Sequence, residues 1–200
     1  MVTLQTLTVG QFQEIYKVQK SEMDEEERST EMVSILSGKT IREVEDMPFT
    51  EVNRLASQIK AVLSQELPVA EPKKIIGKYG ITYEPAKLNR GQYITVNHFM
   101  KGDSIDNCHM ILASLTYDPK TGKHDADNHK KIAEDLQEAN FLDAYSACVF
   151  FSHLFKVSIN SLRDFLVLEL SKKGKGQEMK DLLKDLDGFI MPSKLQTLKA

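Results

Sequence analysis

The segment from His124 to His129 is the closest approach in this sequence to a metal-binding motif. It reads His-Asp-Ala-Asp-Asn-His, so two imidazoles and two carboxylates lie within six residues. Such groups are common ligands of zinc and other divalent ions. Their spacing fits neither a His-Glu-x-x-His helix nor an EF-hand loop, which needs a central glycine and a late glutamate. The pattern favours a helix start capped by Asp125 or Asp127 after a polar loop, and a metal site is the alternative.

The other reactive side chains do not form a catalytic arrangement either. His153 lies amid aromatic residues, which is typical of a core histidine, and Cys148 is five positions before it, on a different helical face. Cys108 and Cys148 fall on apolar faces, which favours buried thiols over a disulfide. Gly174-Lys-Gly176 lacks the strand and glycine spacing of a phosphate-binding loop. We therefore expect no enzymatic activity, no catalytic residue, no cofactor and no metal ligand.

The composition limits the classes of partner. The chain has 200 residues, of which 28% are charged and 41% hydrophobic, with a net charge of −3. Without an excess of Lys and Arg, we expect no direct nucleic-acid binding. The longest charge-free apolar run, Ala144 to Phe155, has 12 residues and is too short to span a bilayer. The beginning of the sequence shows no secretory signal pattern, so we expect synthesis in a reducing cytoplasm and no membrane contact.

A long segment from Phe141 to Lys173 is predicted to organise the core. No glycine or proline occurs between Gly122 and Gly174, so one helix of about 50 Å is expected. The alternative is a break near Ser158 to Ser161, where short polar side chains could cap a new helix. The predicted core residues are Tyr145, Cys148, Phe155, Leu162 and Leu166 on one apolar face and Phe151 on a neighbouring face.

Capping patterns predict several helices before this segment. Thr8 with Gln11 forms a capping-box pattern that predicts a helix from about Val9 to Lys20. Thr40 with Glu43 forms a second such pattern for a short helix. Thr50 is the expected N-cap of an amphipathic helix that follows.

Two prolines between Leu67 and Pro72 mark a linker that divides the chain. We expect an N-terminal helical subdomain (1–66), a hairpin plus helical core (73–173) and a C-terminal arm (174–200). One small β-hairpin is predicted, with strands at Lys74–Ile76 and Ile81–Tyr83 on either side of a turn at Gly77–Gly80. The predicted fold class is therefore mainly α (α+β).

A short pattern recurs in the two halves. Leu88-Asn-Arg-Gly-Gln-Tyr93 matches Leu7-Thr-Val-Gly-Gln-Phe12, 81 positions earlier, in five of its six residue classes. This repeat favours a duplicated helix-pair unit. The alternative is two unrelated helices that begin with similar caps.

The C-terminal arm carries the features of an assembly element. Residues 172–200 contain seven lysines and four acidic residues, a charge opposite to that of the acidic stretch from Glu22 to Glu31. An amphipathic helix that ends at Gly188 is predicted, followed by an apolar tail. We expect the arm to dock on a neighbouring subunit, and the alternative is that it folds back on its own domain. The candidate oligomer interface consists of Met179, Leu182, Leu183, Leu186, Phe189, Ile190 and Met191.

The order and spacing of several segments carry a family resemblance; these are 7–12, 34–40, 43–48, 88–93, 109–114, a loop near Pro119, and 150–151. In this order they resemble a group of small tailed-bacteriophage proteins encoded among virion and tail-assembly genes, including those of crAss-like phages. The resemblance covers most of the chain and brings no catalytic residues. It implies a virion structural protein of the tail or head–tail (portal-proximal) ring, made in the host cytoplasm. The implied partners are further copies in a homo-oligomeric ring and other tail and portal proteins; the alternative is a tail assembly chaperone absent from the mature virion.

Overall fold

The computed structural model describes residues 3–172, apart from the side chains of residues 166 and 169–172. Eight α-helices and a small antiparallel sheet make up this part of the chain, which confirms the mainly α prediction. The helices are α1 Val9–Lys20, α2 Glu25–Ser37, α3 Ile41–Glu45, α4 Phe49–Leu63, α5 Arg90–Met100, α6 Cys108–Leu115, α7 His129–Gln137 and α8 Phe141–Lys172.

The predicted capping boxes are present. The Thr8 hydroxyl accepts a hydrogen bond from the Gln11 backbone N–H at 3.2 Å, and the Gln11 side chain accepts one from the Thr8 N–H at 3.1 Å. Thr40 and Glu43 exchange the equivalent pair. These bonds satisfy N–H groups that a helix start otherwise leaves without partners. Helix α1 consequently has the predicted bounds.

The predicted cap of α4 is wrong. Thr50 lies inside the helix, because α4 begins at Phe49 after Pro48. The Pro48 carbonyl already accepts hydrogen bonds from the N–H groups of Glu51 and Val52. Proline is compatible with this position because its fixed φ and missing N–H cost a helix start little.

The predicted hairpin is present, and a third strand extends it. Its turn is shorter than predicted, because Tyr79 and Gly80 belong to the second strand. Strand β1 (Ile75–Ile76) pairs with β2 (Tyr79–Ile81), and β2 also pairs with β3 (Thr116–Tyr117). Gly77 has a φ of 59° at the first position of the two-residue turn, as a type II′ turn requires. A side chain at Gly80 would collide with the ring of Tyr117 on β3. The sequence pattern missed β3 because two residues after a helix carry no alternation.

Helix α8 is continuous from Phe141 to Lys172, so the alternative of a break near Ser158 is wrong. The Ser161 hydroxyl donates to the Val157 carbonyl at 2.9 Å, within the same helix, instead of capping a new one. At 1.5 Å per residue the helix is about 46 Å from its first to its last residue.

The core prediction for α8 is partly confirmed. Tyr145, Cys148, Phe151 and Phe155 are buried. Leu162 is 46% exposed, so its assignment to the core is wrong, and the side chain of Leu166 lies outside the described part. Ile159 is the last buried residue among the described side chains of α8, and the helix then continues for about 20 Å. Leu162 lies in this continuation, beyond the buried cluster.

Two clusters of buried residues share helix α8. Helices α1 to α4 form the first cluster around Phe141 and Tyr145, and the sheet, α5, α6 and α7 form the second around Cys148 to Ile159. The linker contacts α8 as well, since the Ala70 N–H donates to the Ser146 hydroxyl at 3.0 Å. Helix α8 thus contributes to both clusters. The subdomain boundary at 67–72 stays a prediction.

The recurring pattern begins two helices in the same way. Asn89 and Gln92 at the start of α5 form a capping box like that of Thr8 and Gln11 at the start of α1. The duplication itself stays a prediction.

Candidate interaction surfaces

The residues of the metal-like motif separate in the structure. His124 Nδ1 lies 2.9 Å from the Thr116 carbonyl, and His129 Nε2 lies 2.9 Å from the Ser114 hydroxyl. Within residues 3–172 no three His, Cys, Asp or Glu side chains converge on a common point that could hold a metal ion. Each histidine therefore has a structural partner of its own.

Asp125 caps the turn that precedes α7 instead of the helix itself. Its carboxylate accepts hydrogen bonds from the backbone N–H of Asn128 at 3.2 Å and from the Asn128 side chain at 2.8 Å. The N-cap position belongs to Asn128, so the assignment of Asp125 or Asp127 as the N-cap of α7 is wrong. Asp125 therefore stabilises a short turn within the loop that leads into α7.

The hydrogen bonds of Ser114 determine how His129 is protonated. The Ser114 hydroxyl donates to the Met110 carbonyl at 2.9 Å, so it accepts from His129, which requires a proton on Nε2. Burial lowers the pKa of His129. A neutral histidine that joins α7 to α6 has a sufficient structural role.

A buried glutamine that the sequence patterns did not reveal joins α1 to the start of α6. The Gln13 side-chain nitrogen lies 2.7 Å from the Ile105 carbonyl, 2.9 Å from the Asp106 carbonyl and 3.0 Å from His109 Nδ1. Burial lowers the pKa of His109, which keeps its ring neutral as a partner for the amide. In the sequence, the position of Gln13 beside the apolar Phe12 in a predicted helix is the signal that could have indicated a buried glutamine.

The two cysteines are free and buried, as predicted, and they also touch. Their Sγ atoms lie 3.3 Å apart, on α6 and α8. A hydrogen bond with Cys108, together with burial, raises the pKa of the Cys148 thiol. His153, in contrast, is exposed, so its assignment as a core histidine is wrong. Five positions along a helix place Cys148 and His153 on different faces.

An open groove lies between α2, α3 and α4. Its volume is about 730 Å³, and Phe49 at its edge is 73% exposed. Glu25, Glu26 and Glu45 give the groove an acidic rim, and Lys60 pairs with Glu25 at 2.6 Å. We call this the α2–α4 groove. Its apolar part is formed by Val44, Met47, Phe49, Val52 and Ala56.

Helix α8 carries a row of exposed apolar side chains on the side opposite its buried face. Phe150, Val157, Phe165 and Leu168 follow one another at intervals of seven, eight and three residues, which places them on one side of a helix. Phe165 and Leu168 are 58% and 56% exposed. We call these four residues the outer stripe. Only Phe150 has a described ring partner, Tyr83, in an edge-to-face contact.

The predicted oligomer interface from Met179 to Met191 lies outside the described residues, as does the rest of the arm (174–200). Lys172, the last described residue, ends α8 shortly after Leu168 of the outer stripe.

Within residues 3–172 no helix is both long enough and apolar enough to cross a membrane. No protein-family model matches the chain, and no curated protein and no solved structure matches it.

Proposed function

We propose that this protein is a non-enzymatic structural subunit of a tailed-bacteriophage virion, in the tail or the head–tail (portal-proximal) ring. It acts through contacts with other copies of itself and with other tail or portal proteins. The observation that carries the proposal is the outer stripe of α8, on a helix that continues past Ile159, the last buried residue among its described side chains. Monomers seldom leave several large apolar side chains exposed together. The phage setting comes from the sequence resemblance described above.

A second surface supports head-to-tail assembly. The α2–α4 groove combines an apolar part with an acidic rim. The end of the arm, residues 188–200, contains two lysines, no acidic residue and several large apolar side chains. Opposite charges steer such a contact, while burial of apolar side chains stabilises it. We assign the groove as the docking position of the arm.

We propose that the arm docks on a neighbouring copy. The first cluster, which contains the groove helices, packs around Phe141 at one end of α8. The arm follows the other end, about 46 Å away. The alternative is that the arm folds back on its own domain. A contact between two different surfaces of neighbouring copies closes into a ring when the rotation allows.

A tail assembly chaperone is the alternative, because it would also present apolar surfaces to tail components. Mass spectrometry of purified particles separates the two functions. A structural subunit remains in the particle in a fixed ratio to the tail and portal proteins, whereas a chaperone is found only in the lysate. Absence of the protein from washed particles would overturn the structural function.

A further inference from the structure

We propose that Cys108 and Cys148 form a reversible disulfide that joins α6 to α8 once the protein leaves the reducing cytoplasm. The two Sγ atoms are 3.3 Å apart, and Cys148 Sγ also lies 3.7 Å from the Cys108 carbonyl oxygen. The residues belong to different helices and are separated by 40 positions in the chain. The release from the cell rests on the proposed virion function; the chemistry of the pair does not.

The two sulfur atoms need to move only a short distance to form a covalent bond. A disulfide requires an S–S distance of about 2.05 Å, so the sulfurs must approach by roughly 1.3 Å. Rotation about the Cα–Cβ bonds moves sulfur over such a distance. Neither thiol has another polar partner among the described side chains, so the disulfide breaks no other side-chain hydrogen bond.

The reaction needs an external oxidant, and a small disulfide such as oxidised glutathione supplies one. One cysteine thiolate attacks the glutathione disulfide, forms a mixed disulfide and releases one glutathione thiolate. The second cysteine thiolate then attacks the protein sulfur of the mixed disulfide and releases the second glutathione thiolate. The two thiol protons pass to the released thiolates, so two cysteines are oxidised and one glutathione disulfide is reduced.

Burial makes the pair slow to react. Both cysteines are 2% exposed, and the reactive species is the thiolate. The oxidant therefore reaches the pair only when α6 and α8 separate locally. In the cytoplasm glutathione keeps the thiols reduced, and outside the cell oxidation proceeds over hours.

The cross-link would stabilise the second cluster. It closes a loop that contains α6, β3, α7 and the beginning of α8. Closing a loop of this length restricts the unfolded chain enough to raise the melting temperature of a protein of this size by roughly 8–15 °C.

The test uses the full-length, purified, reduced protein. It is incubated with oxidised glutathione until no further change occurs, denatured in acid and treated with a thiol-alkylating reagent, and then analysed by mass spectrometry. We expect a species that has lost two hydrogens, carries no glutathione, contains a Cys108–Cys148 cross-linked peptide and melts at the higher temperature. Dithiothreitol should reverse all of these changes.

Cys108→Ala and Cys148→Ala are the matched controls, because each retains one thiol of the pair. Neither should gain melting temperature on oxidation. For the wild type, two alkylatable thiols, a persistent glutathione adduct, a cross-link between copies or an unchanged melting temperature would each overturn the proposal. The assay uses no phage particles, so a negative result does not bear on the proposed function. Conversely, absence of the protein from purified particles does not bear on the chemistry of the two cysteines.

Discussion

Phe12 of α1 and Phe141 of α8 stack face to face, with their ring centroids 3.6 Å apart and their planes 9° from parallel. The backbone reinforces this contact, since the Phe141 N–H donates to the Leu7 carbonyl and the Val9 N–H donates to the Ala139 carbonyl, each at 2.9 Å. The pair therefore holds the first helix of the chain against the start of the longest one.

Replacing Phe141 with Ala should reduce the free energy of unfolding by about 3–5 kcal/mol, because it removes a fully buried ring and leaves a cavity beneath Phe12. Urea denaturation followed by circular dichroism measures the change. A loss below about 1 kcal/mol would contradict the burial of this ring.

Phe151→Ala should cost a similar amount, about 3–5 kcal/mol, since Phe151 is fully buried in the second cluster. Phe165→Ala is the matched control on the same helix. Phe165 is mostly exposed, so its loss should change the stability of the monomer by less than about 0.5 kcal/mol. Equal losses for the two variants would show that the outer stripe is covered within the monomer.

Retention of a metal ion is not expected, because His124, Asp125 and His129 each have a structural hydrogen-bond partner. Elemental analysis of the purified protein should find zinc and manganese well below one equivalent, and a chelator should leave the melting temperature unchanged. Stoichiometric metal that disappears in His124→Ala would overturn this prediction.

Truncation after Lys173 tests the arm. The described clusters end at Ile159, so the truncated protein should remain folded, with a free energy of unfolding within about 1 kcal/mol of the full chain. Size-exclusion chromatography with light scattering should show a monomer where the full chain assembles. A truncated protein that unfolds would instead favour folding of the arm onto its own domain, and an unchanged oligomer would exclude the arm from assembly.

The α2–α4 groove is tested by Phe49→Lys. This change removes a large apolar side chain from the groove and adds a charge that repels the lysines of the arm, so it should weaken assembly by about 30-fold. Ile94→Lys provides the control, because Ile94 on α5 is also well exposed but does not line the groove. Light scattering over a concentration series should show a shifted midpoint for Phe49→Lys only. Equal shifts for both variants would argue against the groove as the docking position.

The sequence by itself determined the local structure of this protein. The capping boxes at Thr8 and Thr40 and the glycine turn at Gly77 act through hydrogen bonds and backbone angles within a few residues. The absence of glycine and proline between Gly122 and Gly174 likewise predicted a helix of nearly the observed length.

Only the tertiary structure decided which faces are covered and which side chains meet. Leu162 and Phe155 follow the same periodicity, yet Phe155 is buried and Leu162 is exposed. Periodicity describes one helix, whereas burial depends on whether another element reaches that level of it. The contact between Cys108 and Cys148 required the packing of α6 against α8, which no spacing along the chain encodes. The α2–α4 groove and the outer stripe could not be predicted from the sequence either, because the exposure of their side chains depends on how the helices pack.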